Sequence, residues 1–292
     1  MYLKLFKKFA KKQVNRSSST QNFFFVGNTS VVQTDAIDTE STIDDIVFDF
    51  AVTQHKLPKP FILDFASTDK SREVLNGVVM DVETSDYCAT DGHKLYITNT
   101  EMSLDVIIPS TFLKIVYSLH SAKELKLGNI IFNISNDNKT VMFIKGDITI
   151  SSDTISAQYP NVTSVIPSTG GNKIDITLNS TLPKCKKYIK DEFSTSMICI
   201  TPSQRVLGQE FILGGERFEK ELNTEFITVS STLDKNIGFD FKNLVPLFKA
   251  SQATELSFMA NAPLGAITTV VDGATLLVMP YRISESTEPW NR

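Results

Sequence analysis

Apolar and polar residues alternate through Val47-Phe48-Asp49-Phe50 and again through Ile174-Asp175-Ile176-Thr177. A period of two is the pattern of a half-buried strand. A short polar piece follows each, and then the same three residues: Leu57-Pro58-Lys59 in the first case, Leu182-Pro183-Lys184 in the second. Each opens an amphipathic stretch, Phe61-Ile62-Leu63-Asp64-Phe65 and Tyr188-Ile189-Lys190-Asp191-Glu192-Phe193. Proline suits a helix start, where the N–H it lacks would have no partner anyway. A helix is therefore expected after each strand.

A second element also recurs. Val106-Ile107-Ile108-Pro109 leads into Ser110-Thr111-Phe112-Leu113-Lys114-Ile115-Val116-Tyr117, which reads as strand, N-cap and helix. Its counterpart is Gly238-Phe239-Asp240-Phe241 leading into Lys242-Asn243-Leu244-Val245-Pro246-Leu247-Phe248-Lys249. Further alternating strands are expected from Glu124-Leu125 and from Glu255-Leu256. The offset between copies is roughly 125–133 residues, far longer than a solenoid repeat, so it reads as a duplicated domain. Each copy runs strand, helix, strands, helix, strands: an α+β domain with two helices laid on antiparallel sheet. The predicted boundaries are an N-terminal extension 1–45, a domain 46–168, a second domain 169–283 and a tail 284–292.

The extension differs from the rest. Lys4, Lys7, Lys8, Lys11 and Lys12 interrupt what would be the apolar core of a secretory signal. Leu3, Phe6 and Phe9 fit one side of a short amphipathic helix, or the segment is a frayed basic tail. Phe23-Phe24-Phe25-Val26 reads as a strand with Gly27-Asn28 as a turn, and Asp35, Asp38, Glu40, Asp44 and Asp45 form an acidic loop or exposed edge.

Composition narrows the function classes. The 292 residues have room for about two domains of ordinary size. There is no run of 18 apolar residues, so no membrane span is expected. Cys88, Cys185 and Cys199 show no CxxC pairing, which points to neither a zinc site nor a disulfide framework and fits a reducing cytoplasm. A net charge of -4 argues against a protein that coats nucleic acid over its whole surface, while leaving room for local basic patches.

Four stretches carry a likeness to a known family. Leu75-Asn76-Gly77 precedes the apolar Val78-Val79-Met80. Ala89-Thr90-Asp91-Gly92-His93-Lys94-Leu95 is the most specific. Tyr159-Pro160-Asn161 comes with Val165-Ile166-Pro167, and Leu277-Val278-Met279-Pro280-Tyr281-Arg282 lies near the end. In order and spacing these resemble the middle and last domains of the bacterial-type DNA polymerase III beta-subunit sliding clamps. The resemblance implies two tandem DNA-clamp domains in a ring with helices lining the pore. It implies no enzyme and no cofactor, but a processivity factor that encircles duplex DNA without reading its sequence and tethers the replicative polymerase. Family members have three domains per subunit and rings of six. Two domains here imply a homotrimer, and such a version with an unfamiliar N-terminus points to a viral or plasmid system in a bacterial or infected-cell cytoplasm.

The resemblance also implies two surfaces. Polymerase and clamp-loader peptides would insert into an apolar pocket on the last domain at its border with the preceding one. The matched positions are Leu75, Thr90, Gly92, His93, Lys94, Leu95, Pro160, Val165, Leu277, Val278, Met279, Pro280, Tyr281 and Arg282. Ser164 stands where the family commonly carries arginine, and Tyr281 where it commonly carries methionine, so peptide preference should differ. DNA would face Lys184, Lys186, Lys187 and Lys190 of helix 182–193, with Lys59, Lys114, Lys123, Lys242 and Lys249 from the other helices. The tail 284–292 holds the single tryptophan, Trp290.

Two other readings compete. Asp91 and His93 could form an acid–base or metal pair, but no third ligand or nucleophile motif lies nearby. His55 and His120 sit in unrelated segments and read as surface or packing residues. A non-DNA scaffold protein built of duplicated α+β domains is the alternative function.

Overall fold

The computed structural model describes residues 22–26, 29–33, 52–146, 148–167, 171–212, 215–260, 265–281 and 283. The strand expected at 47–50, the acidic loop at 35–45, the basic start, Arg282 and the tail with Trp290 lie outside the described residues. The chain divides into two compact units, Met1–Tyr87 with Met102–Tyr159 and Cys88–Glu101 with Pro160–Arg292.

In the first unit, six strands form one antiparallel sheet in the order Asn22–Val26, Thr29–Gln33, Ile148–Asp153, Thr140–Lys145, Ile131–Ser135 and Val52–Lys56. Strands Gly77–Met80 and Val106–Pro109 pair with each other, Val78 opposite Ile108. Helix Ser110–Ser118 buries Phe112, Leu113, Val116 and Tyr117 at the three- and four-residue spacing of one helix face. Phe112 meets Phe132 of the sheet at 6.3 Å between ring centroids, and the Tyr117 hydroxyl donates to the Pro58 carbonyl at 2.8 Å. Gly77 is required for close approach: a Cβ there would strike the Ile107 side chain and come within 2.8 Å of the Ile108 carbonyl.

In the second unit, strands run in the order Ile227–Ser231, Asn172–Leu178, Glu255–Ala260, Ile267–Val271, Ala274–Val278, Lys94–Ile97 and Tyr87–Thr90. A four-stranded sheet runs Gly215–Glu221, Val206–Ile212, Met197–Ile200 and Ile237–Asp240. Helix Leu182–Glu192 buries Cys185 and Ile189. Helix Phe241–Ser251 buries Phe241, Leu244, Val245, Leu247 and Phe248, and Asp240 caps it by accepting from the Lys242 N–H at 2.9 Å.

Several expectations need correction. The helix expected from Phe61 is a five-residue 3-10 turn, Pro60–Asp64. Pro58 and Pro60 flank its start, and the turn closes by the Phe65 N–H donating to Ile62 O at 3.0 Å, so no α-helical ladder develops. Lys59 therefore precedes a turn and not a full helix. The helix expected from Ser110 ends at Ser118, and a second, short helix, Ala122–Leu127, follows it. Ser121 adopts an extended conformation between them and caps the second, so Lys123 and Glu124-Leu125 belong to a separate short helix and the next strand starts at Ile131. The strand at Phe23, Asn22–Val26, pairs through Thr29–Gln33 into the first sheet, so these two strands pack with the first unit. The two compact units meet in sequence at Tyr159 and Pro160, and Cys88–Glu101 goes with the second unit, where strand Lys94–Ile97 pairs with Ala274–Val278.

The cap at Ser121 yields a pH prediction. Glu124 accepts from the Ser121 N–H at 2.7 Å while the Ser121 hydroxyl accepts from the Glu124 N–H at 3.3 Å. The Ser121 N–H and side-chain hydroxyl, and then the Lys145 ammonium at 3.0 Å, hold the Glu124 carboxyl down from 4.5 to about 2. A depressed pKa contributes stability above the unfolded value and loses it as pH falls through the folded one. Amide shifts of Ser121 and Glu124 should therefore stay constant at neutral pH and move together with a midpoint near pH 2. Titration of Ser121 near pH 4.5 would show that the cap does not form in solution.

Candidate functional site

The segment Thr90–Lys94 is a tight turn between two paired strands, with Thr90 opposite Leu95. Gly92 takes φ 91°, a conformation that strains any residue with a Cβ. Asp91 Oδ1 accepts from the N–H groups of His93 at 2.8 Å and Lys94 at 3.0 Å. The Thr90 hydroxyl donates to Lys94 O at 2.7 Å and accepts from the Gly92 N–H at 3.0 Å. Asp91 Oδ2 pairs with the Lys94 ammonium, and the two side chains are only 17% and 10% exposed. The carboxylate is thus committed to backbone N–H groups and one ammonium, while His93 is exposed and meets Asp91 through its backbone N–H. This is turn chemistry of the Asx type, not an acid–base pair.

The turn is fixed to the far end of the chain. Leu95 lies opposite Leu277 and Lys94 opposite Val278, and the Met279 N–H donates to His93 O at 2.8 Å. Two motifs separated by some 180 residues of sequence are thereby joined by backbone hydrogen bonds. Leu95, Leu277 and Val278 are at most 2% exposed and belong to the core of the second unit. Met279 and Pro280 are half-buried, and Tyr281 is 50% exposed. The Tyr281 N–H donates to Gly238 O at 2.7 Å. Gly238 admits this crossing, since a Cβ there would lie 2.9 Å from Ile283 Cγ1 and 3.1 Å from Tyr281 O.

Pro160 and Val165 lie on an exposed segment anchored by buried Val162. Asn161 Oδ1 accepts from the Thr163 hydroxyl at 2.8 Å, and Ser164 Oγ donates to Asn161 O at 2.9 Å, which fixes the 3-10 turn Thr163–Val165. Val165 is left 49% exposed. Leu75 is in the other unit, half-buried in the 3-10 turn Glu73–Asn76, where its carbonyl accepts from the Ser67 N–H at 2.8 Å.

On helix Leu182–Glu192, Lys184, Lys186, Lys187 and Lys190 are all exposed. At 3.6 residues per turn they fall within an arc of about 160°, opposite buried Cys185 and Ile189. Asp191 stands at the end of the same face, and Glu192 is turned to Lys220 at 2.9 Å. Lys242 and Lys249 are exposed on helix Phe241–Ser251, and Lys59, Lys114 and Lys123 are exposed in the first unit.

No family model matches the chain. It is similar to the beta sliding clamp of Borreliella burgdorferi, 24% identical over 257 residues, which are 82% of this chain and 64% of that protein. It superposes on DNA polymerase III subunit beta from Borrelia burgdorferi, solved with a natural product, with a TM-score of 0.60 at 17% identity over 88% of this chain and 74% of that one. A Pseudomonas aeruginosa sliding clamp with ligand gives 0.59 at 17% identity, over 95% and 81% of the two chains. The chain has the fold of the bacterial sliding clamps. It spans 64% of the length of the curated Borreliella relative.

In the clamp fold, the sequence motifs fall into two groups. Ala89–Leu95 and Leu277–Tyr281 come together through one strand pair, and most of their apolar residues serve that pair's core. Pro160, Val165, Met279, Pro280 and Tyr281 offer surface. Lys94 and Leu95, expected to line a pocket, are buried at 9% and 1% exposure, because the strand they start carries both faces into the unit. His55 is buried, with Nε2 2.7 Å from the Thr53 hydroxyl and Nδ1 3.1 Å from that of Ser85, and burial lowers its pKa. His120 packs on Phe143 at 5.2 Å. Sequence reasoning missed Gly238. Its signal was a glycine inside the strand Ile237–Asp240, whose counterpart Val106-Ile107-Ile108 is apolar throughout.

Proposed function

We propose that this protein is a DNA sliding clamp, a non-enzymatic processivity factor that encircles duplex DNA and tethers a polymerase. The carrying observation is the exposed four-lysine face of helix Leu182–Glu192 within a clamp-fold unit of a net acidic chain. Such a face attracts phosphates without reading bases, while the acidic remainder repels DNA elsewhere. Partner peptides from the polymerase and the clamp loader dock where Met279, Pro280 and Tyr281 reach the surface, near Gly92 and His93 of the paired turn. Methionine adapts to varied anchors, and a partly exposed tyrosine supplies area with a polar tip.

The test is topological. Protein loaded on closed circular DNA stays bound through gel filtration and falls off when the circle is cut. Retention indifferent to cutting would leave only a simple DNA binder or a scaffold protein. We further propose three copies per ring, joined head to tail between unlike sheet edges. Light scattering should give about three times the 32.5 kDa chain mass, and a stable monomer or dimer at high concentration would rule out the trimer. Action on DNA places the protein in the cytoplasm.

A further inference from the structure

Helices Leu182–Glu192 and Phe241–Ser251 flank a half-open cavity of about 240 Å³ within the second unit. Its floor is apolar: Ile189, Phe193, Phe241 and Val245, each at most 7% exposed. Its rim carries Lys186, Lys190 and Lys242, all exposed, and among the described residues no carboxylate lines it. Among the described residues none of these three ammonium groups is in an ion pair. Thr195 and Ser196 close one end, but their hydroxyls already donate, to Gln209 Oε1 at 2.7 Å and to Asp240 Oδ1 at 2.6 Å.

Cationic rim and apolar floor ask for a ligand with an anionic group and a flat apolar part. Stacked duplex DNA satisfies the rim alone. The volume falls below the ~300–1,000 Å³ of ordinary small-molecule sites, which suits one planar ring. We propose that this cavity takes the base of one unstacked DNA nucleotide, its phosphate held by Lys186, Lys190 and Lys242. Aromatic and apolar contact with a base is tolerant of sequence, as a sliding protein requires, and works on single strands such as a template overhang. The inference rests on the DNA-binding reading of the lysine face and adds to it a site for single-stranded nucleotide.

The experiment uses the full chain with labelled isoleucine and valine methyl groups. Thymidine 5′-monophosphate at low salt should move the Ile189 and Val245 methyl signals saturably, through the ring current of the base, whereas inorganic phosphate should leave them in place. Equal shifts with inorganic phosphate, or no shift with the nucleotide, overturn the proposal. Val245→Phe fills the cavity without changing charge. It should weaken nucleotide binding at least tenfold while retention on closed circular DNA persists, and undiminished nucleotide binding by this variant also overturns the site. Should the variant not fold, the methyl titration of the natural chain decides alone. Loss of topological retention in the natural chain would strike the clamp reading and leave the nucleotide result standing, so the two failures are separable.

Discussion

Replacing Lys184, Lys186, Lys187 and Lys190 together by glutamate is expected to abolish stable association with DNA while leaving the fold and subunit number intact. Every lysine withdrawn from a phosphate lowers the slope of log affinity against log salt by about 0.9. If all four lysines touch phosphate, the slope falls by roughly 3–4 for every copy engaged. Charge reversal adds repulsion, so affinity at ~0.1 M salt should drop about a thousandfold or more. Stability should hardly change. The four side chains are exposed and lie opposite Cys185 and Ile189, and glutamate is as good a helix former as lysine. The added like charge beside Asp191 costs a few tenths of a kcal/mol on an exposed face. Lys114→Glu, alone on its helix, should lower the slope by about one phosphate's share. Binding isotherms at several salt concentrations, with light scattering as the control for assembly, read all of this. A fourfold variant with an unchanged salt slope would mean that DNA binds another face.

How much of this was legible in the sequence depends on the range of the interactions. Helices Leu182–Glu192 and Phe241–Ser251 were readable because their apolar spacing and the proline at the start of the first are local signals. The strand from Ile174 was readable from alternation alone. The turn Pro60–Asp64 misled because its apolar residues carry a helical spacing, while the prolines that shorten it act through backbone hydrogen bonds that spacing does not register. The break at Ser121 was hidden because serine is unremarkable in sequence until it caps Glu124. The division of the units was beyond local reading altogether: Cys88–Glu101 joins the second unit through a strand partner some 180 residues away. The lysines named from the sequence as DNA-facing all lie exposed, since charge without a partner stays in water. The apolar site positions were harder, because a hydrophobic motif looks the same whether it lines a pocket or fills a core. Leu95, Leu277 and Val278 fill the core.

That distinction makes the Asp91–Lys94 pair the most informative place to cut. Asp91→Ala should destabilise the second unit by about 3–5 kcal/mol, because it leaves the Lys94 ammonium without its carboxylate where only 10% of the side chain is exposed. It also removes the acceptor for the His93 and Lys94 N–H groups at 2.8 and 3.0 Å. For a unit of this size the melting transition should fall by on the order of 10 °C. Asp91→Asn keeps an acceptor for the backbone and loses only the charge, so its effect should be smaller. The double variant Asp91→Asn with Lys94→Met removes both charges and fills the same volume, and replacing a buried pair by apolar groups is often neutral or stabilising. It should therefore recover most of the loss. Thermal unfolding followed on all three variants separates the contributions, and an Asp91→Ala protein within about 1 kcal/mol of the natural chain would show that the pair is solvated and weak. The same series bears on function. Peptide affinity that survives in the stable double variant makes the motif a strut that sets the register of Leu95 against Leu277 and so positions Met279 to Tyr281. Affinity lost in the double variant despite a native melting curve makes Lys94 itself part of the peptide surface, reached only when the strand pair opens.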